Sequence, residues 1–89
     1  MAKYVIEFVR SSRKEFEKLP AATRKKIVEA LTLLSIDPYS EILKIKKVKG
    51  LDHLFRIRIG DYRVIYEIRN DRLLIIVIKI GHRREVYKH

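Results

Sequence analysis

Cysteine and tryptophan are absent from this chain, and turn-forming residues are scarce, with three glycines and two prolines in 89 residues. Without cysteine there is no disulfide framework, no thiolate zinc site and no cysteine nucleophile, and the chain suits a reducing compartment. With glycine only at Gly50, Gly60 and Gly81, no phosphate loop of the G-x-x-x-x-G-K-[ST] or G-x-G-x-x-G kind can be written, which excludes a nucleotide hydrolase. Long apolar runs are missing too. The longest covers six residues, 73–78, against the roughly 18–20 that a spanning helix needs, and Glu7 interrupts the short apolar start, unlike a secretory leader. The three histidines, His53, His82 and His89, are dispersed, which argues against a metal site. These absences lead us to expect a cytoplasmic protein with no membrane partner, no metal and no cofactor.

Acidic residues are the last shortage: 11 Asp and Glu stand against 21 Lys and Arg, leaving a net charge of +10 and a pI near 10.1. So much positive charge on so small a body attracts polyanions. Basic and acidic residues number 8 and 5 over positions 1–40, 6 and 2 over 41–60, and 7 and 4 over 61–89. The excess is densest in the interior, so it belongs to a folded surface and not to a basic tail. Hydrophobic residues make up 47% of the chain, enough for one modest core, and positions 1–89 read as one domain.

Residues 3–9 alternate with period two, placing Tyr4, Ile6 and Phe8 on one side of a strand. Ser12 followed by Glu15 reads as a capping box opening a short helix over 13–18, with Phe16 and Leu19 turned to the core. Pro20 suits the first turn of a second helix over 20–36, whose Ile27, Ala30, Leu31 and Leu34 form one apolar stripe. Arg24, Lys25, Lys26 and Glu29 fall mostly off that stripe, as a solvated face. Asp37-Pro38 ends the helix, and 42–49 reads as a short, basic, irregular stretch. Three strands follow over 54–59, 62–69 and 72–80, joined by two-residue turns at Gly60-Asp61 and Asn70-Asp71. The last is apolar on both faces and is expected to be central. The class is α+β, in the order β-α-α-β-β-β, with an antiparallel sheet and a helical hairpin packed on one face.

A two-residue turn at Gly60-Asp61 sets Arg58 opposite Arg63, and Arg56 joins them two residues along. The other face then takes Phe55, Ile57, Ile59, Tyr62, Val64 and Tyr66 as core. Like charges directly opposite one another are destabilising, and the nearest acid on that face, Glu67, lies further down the strand. Either the arginines splay apart on a solvated face, or the face is built for phosphate, whose oxygens match the guanidinium fork. The end of the last strand, Gly-His-Arg-Arg-Glu-Val-Tyr at 81–87, is expected to turn over the sheet edge. It would bring His82, Arg83, Arg84 and Tyr87 together. Arginine keeps its proton, so proton transfer would fall to His82 or to Tyr87, whose phenolate nearby guanidinium charges favour.

Three runs together resemble the RelE/ParE toxin superfamily, and within it the RelE branch: Lys-Lys-Val-Lys-Gly at 46–50, Leu-Phe-Arg-Ile-Arg-Ile-Gly-Asp-Tyr-Arg-Val-Ile-Tyr at 54–66, and the ending at 80–87. The resemblance implies a RelE-like fold and the toxin of a type II toxin–antitoxin pair. Its activity would be metal-independent endoribonuclease cleavage of mRNA in the ribosomal A site, by attack of a 2′-hydroxyl on the adjacent phosphate. It carries the family's basic pair onto Arg56 and Arg58, and further basic positions onto Lys49, Arg63 and Arg83. The C-terminal tyrosine falls on Tyr87. Tyr87 would act as base or position the hydroxyl, Arg63 would stabilise the phosphate charge and Arg83 the leaving oxygen, with Arg84 beside them. Some members have lysine where this chain has Arg56 and Arg58. Acid duty would then pass to His82.

Two alternatives stay open from sequence: a ParE-like inhibitor of DNA gyrase without nuclease activity, and a non-catalytic basic RNA-binding module. The implied partners are the ribosome, mRNA and an acidic RelB-like antitoxin, the free toxin being a monomer that forms a hetero-oligomer with it. An acidic, partly disordered partner that folds over a +10 chain should associate faster at low salt than at high salt. Stopped-flow association rates that do not change with salt would contradict this.

Overall fold

The computed structural model describes residues 3–48, 50 and 53–82. Its elements are β1 (Val5–Phe8), α1 (Arg10–Glu17), α2 (Ala21–Ile36), β2 (Lys46–Lys47), β3 (Leu54–Ile59), β4 (Tyr62–Arg69) and β5 (Leu74–His82). They form one sheet in the order β1-β5-β4-β3-β2. The α+β class and the expected succession of elements are present, with one strand added. The sheet is mixed and not wholly antiparallel, because β1 runs parallel to β5, Val5 pairing with Leu74 and Phe8 with Val77. A parallel pair needs a crossover, and the two helices between β1 and the hairpins belong to that connection. The extra strand, β2, lies in the stretch expected to be irregular, and pairs Lys46 with Arg56 and Lys47 with Phe55.

The core forms where the α2 stripe meets one face of the sheet. Ile27, Ala30, Leu31 and Leu34 are buried against Ile57, Val64, Tyr66, Ile75, Val77 and Ile80. At about 1.5–3 kcal/mol for each large apolar side chain removed from water, this layer outweighs any single polar contact in the fold. The helix begins just after Pro20, which stands at its N-cap with φ −57° and accepts the Arg24 N–H at 3.0 Å.

The short helix α1 departs from expectation. It begins at Arg10, with no side-chain cap at Val9, so Ser12 is not a cap but a buried residue inside the helix. Its hydroxyl lies 2.7 Å from the Val77 carbonyl and 2.9 Å from that of Val9, with one proton to share between them. The reason lies in the sheet. β1 stops at Phe8 while β5 runs on to His82, so the outer edge of β5 needs other partners. Val9 N–H and the Ser12 hydroxyl supply the Val77 carbonyl, and Glu15 accepts the Ile80 N–H at 3.1 Å while pairing with Lys79 at 3.2 Å. Thus α1 finishes the edge that β1 leaves open.

Two turns behave differently. Gly60-Asp61 is a two-residue loop, Ile59 pairing with Tyr62, and Gly60 takes φ +60° at its first position, as a type II′ hairpin requires. The link after β4 spans residues 70–73, because Arg69 pairs with Leu74 and Leu73 takes φ +49°. It is longer than expected because Asn70 is held elsewhere: its side chain accepts the Tyr4 hydroxyl proton at 2.6 Å and donates to the Tyr39 hydroxyl at 2.9 Å.

The Tyr66 ring stacks on Phe55 with centroids 5.9 Å apart, and its hydroxyl is buried with no hydrogen-bond partner among the described residues. Burial first, and then the neighbouring Tyr39, push its phenol well above the ordinary value near 10. The folded state therefore prefers the protonated phenol. Stability from this group is complete below pH 10 and is lost as pH rises beyond it, at about 1.4 kcal/mol per pH unit. Tyr66→Phe should leave stability at neutral pH within about 0.5 kcal/mol, since no bond is lost, and should remove this share of the alkaline loss. Ser12→Ala should cost about 1–2 kcal/mol at all pH values. Urea unfolding of both variants at neutral and alkaline pH checks these values, and equal losses for the two at neutral pH would contradict them.

Candidate functional site

The register of the β3–β4 hairpin sorts its side chains into two sets. Ile57 pairs with Val64 and Phe55 with Tyr66 on the helix-covered face, while Arg58 pairs with Arg63 on the opposite face. Arg56 shares that face by the two-residue period of the strand. The expected convergence of Arg56, Arg58 and Arg63 is therefore present. Arg63 is only 7% exposed, and across from it on β5 stands Gly81, which has no side chain to compete for the space. The Arg58 Nε donates to the Gly60 carbonyl at 3.4 Å, which anchors the tip of the hairpin.

Around these arginines lies a groove of about 180 Å³ lined by Lys44, Lys46, Arg56, Ile57, Arg58 and Arg63, five of the six being cations. Among the described residues no acid lines it. Glu67 does share the arginine face, but it pairs with Leu54 at the far end of the hairpin. There it binds the Arg69 guanidinium and lies 3.6 Å from the His53 imidazole, so it does not reach the groove. That bond to Glu67 raises the pKa of Arg69. A cavity walled by guanidinium and ammonium groups, with room for a phosphate-sized anion, is suited to bind phosphate oxygens and to stabilise charge that develops on them.

Lys44 and Lys46 were not singled out in the sequence. The signal was there in the alternation of 43–46, where Leu43 and Ile45 pack on the core and the intervening lysines do not.

Of the residues expected to gather at the end of the last strand, His82 alone is among the described residues. The strand does not turn at Gly81 but continues through His82, which pairs with Tyr62. Between Ile65 and Tyr66 the β4–β5 register shifts by one residue, leaving Ile78 as a bulge on β5. Strict alternation from Ile76 would carry His82 to the arginine face. The bulge reverses the later residues, burying Ile80 in the core and placing His82 beside the Tyr62 ring, with centroids 5.7 Å apart. His82 is thus on the helix side of the sheet, across from the arginines. Lys49, Arg83, Arg84 and Tyr87 lie outside the described residues. Among the described residues no group of three or more acidic or histidine side chains is placed to hold a metal ion, and no helix is long and apolar enough to cross a membrane.

Comparison with known proteins follows the same lines. The family described as the ParE toxin of type II toxin–antitoxin systems, parDE, matches residues 6–87. The candidate toxin RelE1 of Methanocaldococcus jannaschii is 35% identical over 88 residues, covering 98% of each chain. The mRNA interferase toxin RelE of Escherichia coli K12 is 28% identical, covering 94% of this chain and 90% of its own. Among solved structures, the archaeal RelE–RelB complex from Pyrococcus horikoshii OT3 superposes with a TM-score of 0.79 at 29% identity, covering 93% of this chain and 97% of that one.

The facing pair Arg58 and Arg63 should cost the fold stability when no anion is bound. Replacing Arg58 by Gln should raise the melting temperature at low salt by about 1–6 °C, the equivalent of about 0.2–1 kcal/mol in a domain of this size. The gain should vanish near about 1 M salt, where the Debye length is about 3 Å. Sulfate should stabilise the wild type more than the variant. A variant less stable than wild type at low salt would show that the repulsion does not matter.

Proposed function

The chain belongs to the family of type II toxin–antitoxin toxins that includes ParE and RelE, and we propose that it is an endoribonuclease that cuts mRNA in the ribosomal A site. The observation that supports this most directly is the groove holding Arg56, Arg58 and Arg63 on one sheet face, with no acid among the described residues that line it. In this reading the groove holds the scissile phosphate. The 2′-hydroxyl of the preceding nucleotide attacks phosphorus, the bond to the 5′-oxygen breaks, and the products are a 2′,3′-cyclic phosphate and a 5′-hydroxyl. Charge builds on the non-bridging oxygens as the new bond forms. Arg63 stabilises it from a site with little water, where a fixed cation acts more strongly than in solution. Arg56 and Arg58, with Lys49 and Arg84, hold the flanking phosphates. Tyr87 takes the proton of the attacking hydroxyl and Arg83 neutralises the leaving oxygen. His82 faces the other side of the sheet beside Tyr62, so its position favours a supporting role over that of the acid.

The partner in this reading is an acidic antitoxin of the RelB kind. Solved relatives from Pyrococcus horikoshii and Mycobacterium tuberculosis are toxin–antitoxin complexes, and a chain of net charge +10 suits an acidic partner. A second reading has a specific observation behind it, since the matching family is described by its ParE toxin: inhibition of DNA gyrase without RNA cleavage.

Primer extension on translating ribosomes separates the two. Wild type should give cuts within A-site codons, and Arg63→Ala and Tyr87→Phe should each lower cleavage by about 100-fold or more, as loss of one transition-state contact does. Thermal melts of both variants establish that they are folded, and Arg63→Lys tests whether charge alone suffices. Wild type that leaves ribosome-bound mRNA intact would sink the nuclease reading. Accumulation of gyrase–DNA cleavage complexes would then decide for the ParE-like activity.

A further inference from the structure

The basic surface continues past the arginine groove and around the edge of the sheet. β2 is the outermost strand, and its two lysines serve opposite faces. Lys46, paired with Arg56, lines the arginine groove, while Lys47, paired with Phe55, lines a second hollow of about 350 Å³ on the other side of β2. Lys44, at φ +51° just before the strand, lines both. The second hollow differs in chemistry from the first. Beside Lys44 and Lys47 it contains Tyr39 and Phe55, and the one acid among the described residues that line it is Glu41.

Tyr39 is 54% exposed and yet fixed at two points. Its hydroxyl accepts a hydrogen bond from Asn70 at 2.9 Å, and its ring meets Phe55 edge-on at 6.3 Å and 82°. Phe55 in turn stacks on the buried Tyr66. A tyrosine needed only to cover Phe55 would gain by burying its face. This one is held in place with more than half its surface in solvent, in a hollow it shares with Lys44 and Lys47. Rigid aromatic surface flanked by cations is how proteins hold single-stranded nucleic acid, because stacking tolerates any base and the cations follow the backbone. An aromatic group already fixed in place loses little entropy when a base stacks on it.

We infer that this ledge binds the continuation of the single RNA strand whose phosphate occupies the arginine groove, one base stacking on Tyr39 and its phosphate meeting Lys44 and Lys47. The inference rests on the RNA reading of that groove and extends it to a second site on the other side of the β2 edge. Lys44, common to both hollows, joins them into one track.

Binding of an uncleavable strand tests this without any cutting. The probe is a fluorescein-labelled, 2′-O-methyl single-stranded RNA of about ten nucleotides, within the range that single-strand sites cover. Tyr39→Ala should weaken its binding about tenfold, while Tyr39→Phe, which keeps the stacking ring but loses the Asn70 bond, should weaken it less. Lys47→Gln should weaken binding and lower the salt slope by about 0.7, the share of one phosphate contact. A strand of about three nucleotides fills only the arginine groove and should not sense Tyr39. An abasic strand of the full length should bind Tyr39→Ala and wild type equally, which also shows that the variant is folded. Tyr39→Ala that binds the long strand as wild type does, or that loses the abasic strand equally, overturns the inference. If Arg58→Gln weakens both strands while Tyr39→Ala weakens neither, only the ledge is lost. If wild type binds neither strand, the RNA reading of the groove falls with it.

Discussion

The two-residue turn at Gly60-Asp61 is the constraint on which the site depends. It fixes the pairing of Ile59 with Tyr62 and hence every later pair of the hairpin. A slip of one residue would exchange the faces, exposing Ile57, Val64 and Tyr66 and driving Arg56, Arg58 and Arg63 toward the core. Each of those apolar side chains gains about 1.5–3 kcal/mol from burial, whereas two like charges facing each other across a pair cost about 0.2–1 kcal/mol. The core therefore decides the register, and the arginines are held together as a consequence. No special contact among them is required. The same alternation that makes the hairpin fold makes its outer face cationic.

A second constraint acts at the other end of the sheet. Because β1 stops at Phe8, β5 is paired on both sides for only part of its length. The helix α1 takes over through Ser12 and Glu15, and it does so where β5 carries its bulge. The bulge has two effects. It returns Ile80 to the core, and it puts Gly81 across from Arg63. A longer side chain at that place would compete with a guanidinium that is already nearly enclosed. Edge closure and site geometry are thus coupled, although Ser12 and Glu15 are not among the side chains that line the arginine groove.

This division explains what the sequence made legible. Features set by neighbours in the chain could be read: the α2 stripe, the Gly60-Asp61 turn, and from these the meeting of Arg56, Arg58 and Arg63. Features set by distant partners could not. Ser12 has the spacing of a capping box, but its hydroxyl is taken by a carbonyl 65 residues away. Asn70 has the look of a tight turn, but Tyr4 and Tyr39 hold its side chain. The parallel pairing of β1 leaves no local mark, since period two is the same in parallel and antiparallel strands. The two-residue β2 is too short for its alternation to stand out among so many lysines. The side His82 takes was hidden for a subtler reason: one bulged residue in β5 reverses the face of everything after it, and the apolar run at 73–78 gives no hint of where the extra residue sits.

A cationic face enforced by the core also bears on when the protein is stable. The repulsion between Arg58 and Arg63 is fixed by register, so the chain cannot relax it by rearranging the hairpin. A ligand that binds the folded state offsets it, whether an acidic protein segment or a strand of phosphates. Any such ligand stabilises the fold by RT ln(1 + [L]/Kd), about 2.7 kcal/mol at a hundred times Kd. That is a sizeable fraction of the few kcal/mol that a domain of this length has in total. The free chain is therefore its own least stable form. A surface of facing arginines makes the unbound protein depend on company, and an acidic partner that covered them would stabilise the fold by the same act that blocked the groove.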